Sequence, residues 1–101
     1  MSELDKLEKY LLDHRITYER IEEGAVFDRE RRLVIRFGRH QICVPEAGEG
    51  CRWDVICQPY SYGYEQGKLE LYGELVTEDD GDSVVGWLTA EDVIKRLEAR
   101  Q

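Results

Sequence analysis

The chain has 101 residues and a mass of 11.9 kDa, and 22 acidic against 14 basic side chains give a formal charge of −8 and a pI near 4.7. A chain this short folds around one modest core, so a single domain over residues 1–101 is expected. The acidic balance repels nucleic-acid backbones, and no apolar run approaches the ~18 residues of a bilayer span. Met1–Lys6 has neither the basic start nor the apolar stretch of a signal peptide, so the expectation is a cytoplasmic protein without membrane contact. Three cysteines, an odd number, read as reduced thiols rather than a disulfide framework.

Ser2 and Asp5 have the spacing of a capping box, and Leu4, Leu7, Leu11 and His14 recur at helical period, which predicts a helix over Glu3–His14. Ile16–Ile21 reads as a strand, Glu22–Gly24 as a turn, Ala25–Asp28 as a short strand and Arg29–Arg32 as a charged reversal. Leu33, Ile35 and Phe37 alternate with Val34 and Arg36; Gly38 and Arg39 read as a tight connection, after which Gln41–Val44 returns until Pro45 stops the pairing. After a loop to Gly50, Arg52–Cys57 predicts a strand with Trp53, Val55 and Cys57 on one face. Gln58–Gly67 reads as a long loop, and Leu69, Leu71, Gly73 and Leu75 give the cleanest two-residue period of the chain. An acidic turn at 78–82 and a short strand over Val84–Leu88 follow. Thr89 to Asp92 is a second capping box, and Ala90, Val93, Ile94 and Leu97 mark the apolar stripe of a second helix. One-sided helices flanking strands on short connections predict an α+β fold: two layers, with a mainly antiparallel sheet of about five or six strands.

His40, Cys43, Cys51 and Cys57 are the only cluster of soft metal ligands by sequence. Strand alternation turns His40 and Cys43 to opposite faces, and there is no C-x2-C knuckle, so no zinc and no other cofactor is expected. No catalytic motif is present, and Asp54, between Trp53 and Val55, is the acid placed for partial burial. Charge is unevenly spread. Residues 29–39 carry five arginines and one glutamate, net +4, whereas 62–92 carry nine acids and one lysine, net −8. The arginines read as the charged edge of a hairpin. The helix, strands, helix order is similar to that of double-stranded-RNA-binding domains, but the second helix begins with Glu91 and Asp92 where such a domain needs lysines.

The segment Ser61–Gly67 supplies tyrosines and glycines in one loop, chemistry suited to a protein interface. It is equally suited to a cover folded over the core. Trp53–Cys57, Ser61–Glu70 and Val85–Ile94 resemble short acidic proteins of phages and prophages in low-GC Gram-positive bacteria. That family has no assigned activity, so the resemblance carries over no functional residue; it implies an accessory phage gene, a class that commonly encodes binders of host or phage proteins, including inhibitors of host defence.

These observations lead to a non-enzymatic binding module for a host or phage protein with a basic surface, such as a defence or nucleic-acid-handling protein. Its expected contact residues are Tyr60, Tyr62, Tyr64, Glu65 and Gln66 of the loop and Glu78, Asp79, Asp80 and Asp82 of the acidic turn. Two alternatives stay open. One is a small-molecule-binding protein or small enzyme that uses the 58–67 loop as a pocket wall, with Asp54, Glu65 or Glu70 as the polar group. The other is a homodimer formed by pairing exposed strand edges.

Overall fold

A computed structural model describes residues 1–100. In chain order the elements are α1 (Glu3–Asp13), β1 (Glu19–Phe27), β2 (Leu33–Val44), β3 (Trp53–Ile56), β4 (Leu69–Gly73), β5 (Val84–Leu88) and α2 (Ala90–Ala99). The five strands form an antiparallel meander in sequence order, with β1 and β5 at the edges. Both helices lie on one face, which gives the expected two-layer α+β arrangement.

Both capping boxes form. Ser2 Oγ accepts from Asp5 N (3.0 Å) while Asp5 Oδ2 accepts from Ser2 N, and Thr89 and Asp92 make the same exchange at α2. The helices are also tied end to end: Glu3 Oε1 accepts the Ala90 N–H at 2.7 Å, so a side chain of α1 satisfies one of the free amides that open α2. Leu4, Leu7 and Leu11 of α1 and Val93 of α2 meet Ile42, Val55, Leu69, Leu71 and Leu75 in one core, all at most 1% exposed. Each such side chain contributes roughly 1.5–3 kcal/mol by leaving water.

Several boundaries differ from the sequence reading. Helix α1 stops at Asp13, with His14 as its C-cap, because Arg15 takes a left-handed φ of 56°. The two short strands expected on either side of a turn at 22–24 are one strand, β1. Gly24 pairs opposite Phe37, whose ring occupies the place a Cβ would take (2.0 Å), so this glycine permits a close ring contact instead of a reversal. Gly38 and Arg39 make no tight connection either. They are an irregularity within the twelve-residue β2, where two β2 residues stand opposite Glu23, and the φ of 74° at Gly38 absorbs the extra residue. The reversal expected over Arg29–Arg32 forms, but Asp28 belongs to it and not to the strand, its Oδ1 accepting from the Glu30 and Arg32 amides.

The continuous β1 and β2 pair as one long hairpin. Strand β3 pairs with β2 only at Gln41–Val44, so residues 24–27 and 33–37 pair only with each other and project beyond the sheet as an arm. The root of the arm is firm. Arg20 bridges Asp5 and Glu8 of α1 (2.9 Å each) and Glu22 of β1 (2.7 Å), and Glu22 accepts from the buried His40, whose other ring nitrogen meets the Phe37 carbonyl.

Candidate functional site

The 58–67 loop is held from below at several points. Ser61 Oγ donates to the Gln58 carbonyl (2.7 Å) and accepts from the Gln58 N–H (3.0 Å), closing the first turn. Tyr62 N–H donates to Glu70 Oε1 on β4 (3.0 Å), and the Tyr62 carbonyl accepts from Trp87 N–H on β5 (3.3 Å). Gly63, with φ of 95°, lies so close to β5 that a Cβ would stand 2.9 Å from the Trp87 Cα. Gly86 leaves the same room on the other side, where a Cβ would meet the Tyr62 Cβ at 2.3 Å. These contacts leave little backbone freedom in the loop.

Between its pairings of Leu69 with Leu88 and Leu71 with Val85, the β4–β5 ladder shifts register, so Gly86 and Trp87 stand opposite Glu70 alone. Trp87 takes a φ of 57° there, and Tyr60 takes 74° at the loop's start. Bulky residues rarely adopt this region, and backbone strain of that kind concentrates where a side chain must be aimed. Both are aimed outward. Tyr60 is fully exposed, and Tyr62 and Trp87, each about half exposed, stack with ring centroids 5.4 Å apart and planes 13° from parallel. A hollow of about 480 Å³ runs along this patch from Pro59 to Gln66.

The expected loop residues therefore divide. Tyr60 and Tyr62 form the outward aromatic patch, Glu65 and Gln66 are exposed beside it, and Tyr64 packs against the core as a cover. Trp87 completes the patch and escaped the sequence reading, which took it as an ordinary member of a short apolar strand. Its signal would have been the Gly86 beside it, a residue that weakens a strand interior unless close approach requires it.

The acidic turn also divides. Asp80 is not a free surface charge: Arg96 of α2 grips both its carboxylate oxygens at 2.8 Å and reaches the Leu75 carbonyl at 3.0 Å. The guanidinium holds the Asp80 carboxyl well below the usual carboxylate range, with the Thr77 N–H as a second donor. Glu78, Asp79 and Asp82 remain exposed. The tyrosines and this turn are not immediate neighbours. They occupy the two ends of the edge strand β5, and Asp82 and Trp87 are five residues apart in chain, roughly 16 Å of strand.

The loop's other side faces a second cleft of about 500 Å³, between the arm and the starts of both helices. Leu33 and Arg36 of the arm, Cys57, Tyr64, Glu65 and Lys68 line it, with Met1–Leu4 and Thr89. Asp54 and Glu70 lie elsewhere, on the sheet face without helices. Burial pushes the Asp54 carboxyl up, opposed by a hydrogen bond from Gln41 Nε2 (2.9 Å).

Among the soft ligands, Cys43 pairs across from Asp54 on the helix-free face, above which Cys51 also lies, whereas His40 is enclosed at the arm's root and Cys57 lies at the cleft. Among the described residues no three His, Cys, Asp or Glu side chains converge in metal-binding geometry. Burial pushes the Cys43 thiol up to about 12, far from a reactive thiolate. No helix among the described residues is long and apolar enough to cross a membrane. Comparisons with protein-family models, curated proteins and solved structures returned no match.

Proposed function

We propose that the chain is a non-enzymatic protein-binding module whose contact surface is the aromatic patch Tyr60, Tyr62 and Trp87, flanked by Glu65, Gln66 and the free acids Glu78, Asp79 and Asp82. The observation that carries this reading is the strained, braced backbone that presents two aromatic residues at positive φ to solvent. Rigid aromatics lose little conformational freedom on docking, so they serve as anchors. The acids along the same edge strand favour encounter with a basic surface and disfavour an acidic one. A host protein that handles nucleic acid carries such a surface. The phage-like segments at 53–57, 61–70 and 85–94 support a phage-encoded modulator as the biological setting.

A second reading rests on the cleft between arm and helix starts, whose volume falls within the range of small-ligand pockets and whose wall includes Tyr64–Lys68. Of the polar groups first considered for it, Glu65 lines it and Asp54 and Glu70 do not.

The test is capture of a partner from host lysate by wild type, followed by comparison with two variants. Tyr60→Ala with Tyr62→Ala removes the anchors, and Glu78, Asp79 and Asp82 changed to the amides remove charge while leaving Asp80 on Arg96. Loss of roughly 30-fold in affinity from the first, for an anchor contribution of about 2 kcal/mol, and loss of salt sensitivity from the second are expected. Wild-type capture by both folded variants at low and high salt contradicts the proposal.

A further inference from the structure

The arm carries half of the large apolar side chains that the described residues expose: Val26, Phe27, Leu33, Val34, Ile35 and Phe37, each 45–63% exposed. A two-stranded hairpin is at best marginal alone in water, and an apolar patch of this extent marks a surface that something covers. Whatever covers it is favoured to be apolar and negative, because residues 24–37 of the arm carry four arginines against Asp28 and Glu30, a charge of +2. The rest of the chain then carries −10, the difference between −8 and +2.

The face of the sheet that no helix covers has that chemistry. Two rows of paired residues cross it: Ile21, Gln41, Ile56 and Glu70 in one, and Glu19, Cys43, Asp54, Tyr72 and Val84 in the other. Ile21, Ile56, Tyr72 and Val84 supply partly exposed apolar area, Glu19, Asp54 and Glu70 supply negative charge, and neither row contains a lysine or arginine. Asp54 is half-buried there with Glu70 and Arg39 as its charged neighbours; its hydrogen bond comes from the neutral Gln41, whose Oε1 in turn accepts from Arg39 (2.6 Å), and Arg39 and Arg52 border the hollow around it. An incoming arginine is the partner such a carboxylate favours.

We propose that the chain pairs with a second copy of itself, the arm of each lying across the helix-free sheet face of the other. Two arms and two faces close under a two-fold axis, so the assembly ends at a dimer. Arm-on-arm pairing would bring +2 against +2. A nucleic acid fits less well: four of the six exposed side chains are aliphatic and offer no stacking plane, and the body repels phosphate. The face adjoins the Tyr60, Tyr62 and Trp87 patch at Glu70, which accepts the Tyr62 N–H, but the arm and Tyr72 lie outside that patch, so substitutions there test this proposal independently of the first.

The experiment is light scattering on the full chain over a concentration series, with Val34→Glu and Ile35→Glu together on the arm and Tyr72→Arg on the face. All three positions are more than half exposed, so folding is retained, as circular dichroism checks. Wild type is expected at twice 11.9 kDa, each variant at 11.9 kDa, and an equimolar mixture of the two variants at an intermediate mass, because one intact arm then meets one intact face. A monomeric wild type, a dimer that survives the arm change, or a dimer that survives Tyr72→Arg overturns the proposal. So does an arm-dependent shift of a short DNA or RNA probe by monomeric protein. Hydrogen exchange of wild type across the same dilution gives an independent reading: slower exchange at residues 24–37 and 54–56 at high concentration is expected, and unchanged exchange at both contradicts the dimer.

Discussion

Trp87 shows how one residue depends on its neighbours for its exposure. It points outward because the ladder shifts at Gly86, and Gly86 is tolerated there because Tyr62 fills the space its side chain would occupy. Gly63 sits on the other side of the same contact, so Gly63→Ala must push the loop away from β5 as well as force an alanine to φ of 95°. A destabilisation of about 1–3 kcal/mol is expected, with a change in tryptophan fluorescence as the Tyr62–Trp87 stack opens. An unchanged melt and emission spectrum would show that the loop is not braced as described. Asp80 and its neighbours make the parallel case for charge. Asp80→Ala should lower the melting temperature by freeing Arg96, whereas Asp79→Ala, at an exposed acid of the same turn, should leave it unchanged. Composition alone made these acids look equivalent; the Arg96 contact, sixteen residues away in chain, distinguishes them.

The elements that read best in the sequence are those governed by local rules. Both helix starts follow from Ser2 with Asp5 and Thr89 with Asp92, and Thr89→Ala should cost about 1 kcal/mol in a denaturant titration by losing the bond from Asp92 N. The period in β4 was equally legible, since Leu69 and Leu71 are fully buried and Glu70 faces away. Leu71→Asp should therefore abolish cooperative unfolding, its loss exceeding the ~2–5 kcal/mol of a truncated leucine, while Glu70→Ala should cost about 1 kcal/mol through the Tyr62 N–H it leaves unpaired. Similar melts for the two variants would overturn the register. The hairpin of β1 and β2 was misread for a physical reason. Gly24, Gly38 and Arg39 carry turn chemistry, but pairing along the whole length of two strands overrides it and converts two apparent reversals into one contact and one irregularity. The arm was invisible for the same reason: its exposure follows from where β3 ends, and no local signal in residues 24–37 reports that.

At the scale of the molecule, charge sets both stability and recognition. The folded structure depresses the carboxyls of Asp5 and Glu22, against opposing burial, through bonds from Arg20 and from Ser2 or His40, and depresses Asp80 through Arg96. Their stabilisation is complete above the ordinary carboxyl range near pH 4 and is lost as pH falls toward the depressed values; Asp54, raised by burial, acts in the opposite direction. At the alkaline end, Cys43 ionises near 9 when unfolded and near 12 when folded, so its contribution is present below about pH 9 and lost as pH rises toward 12. Thermal melts from pH 2 to 11 should show both limbs, and Cys43→Ala should weaken the alkaline one, to which Cys57, Tyr10 and Tyr18, all raised by burial, also contribute. Of the candidate contact surface, the tyrosines and free acids were legible in the sequence, while their separation along β5, the burial of Tyr64 and the contribution of Trp87 were set by tertiary packing.

The central claim is that the braced aromatic patch is where a protein partner docks. Hydrogen exchange on the chain alone and in complex with its captured partner locates the contact directly. The account predicts slowed exchange at residues 58–67 and 84–88, with little change along the arm. Slowing confined to the cleft residues 1–4 and 33–36, or to any region that leaves the tyrosine loop exchanging as in the free chain, would contradict it.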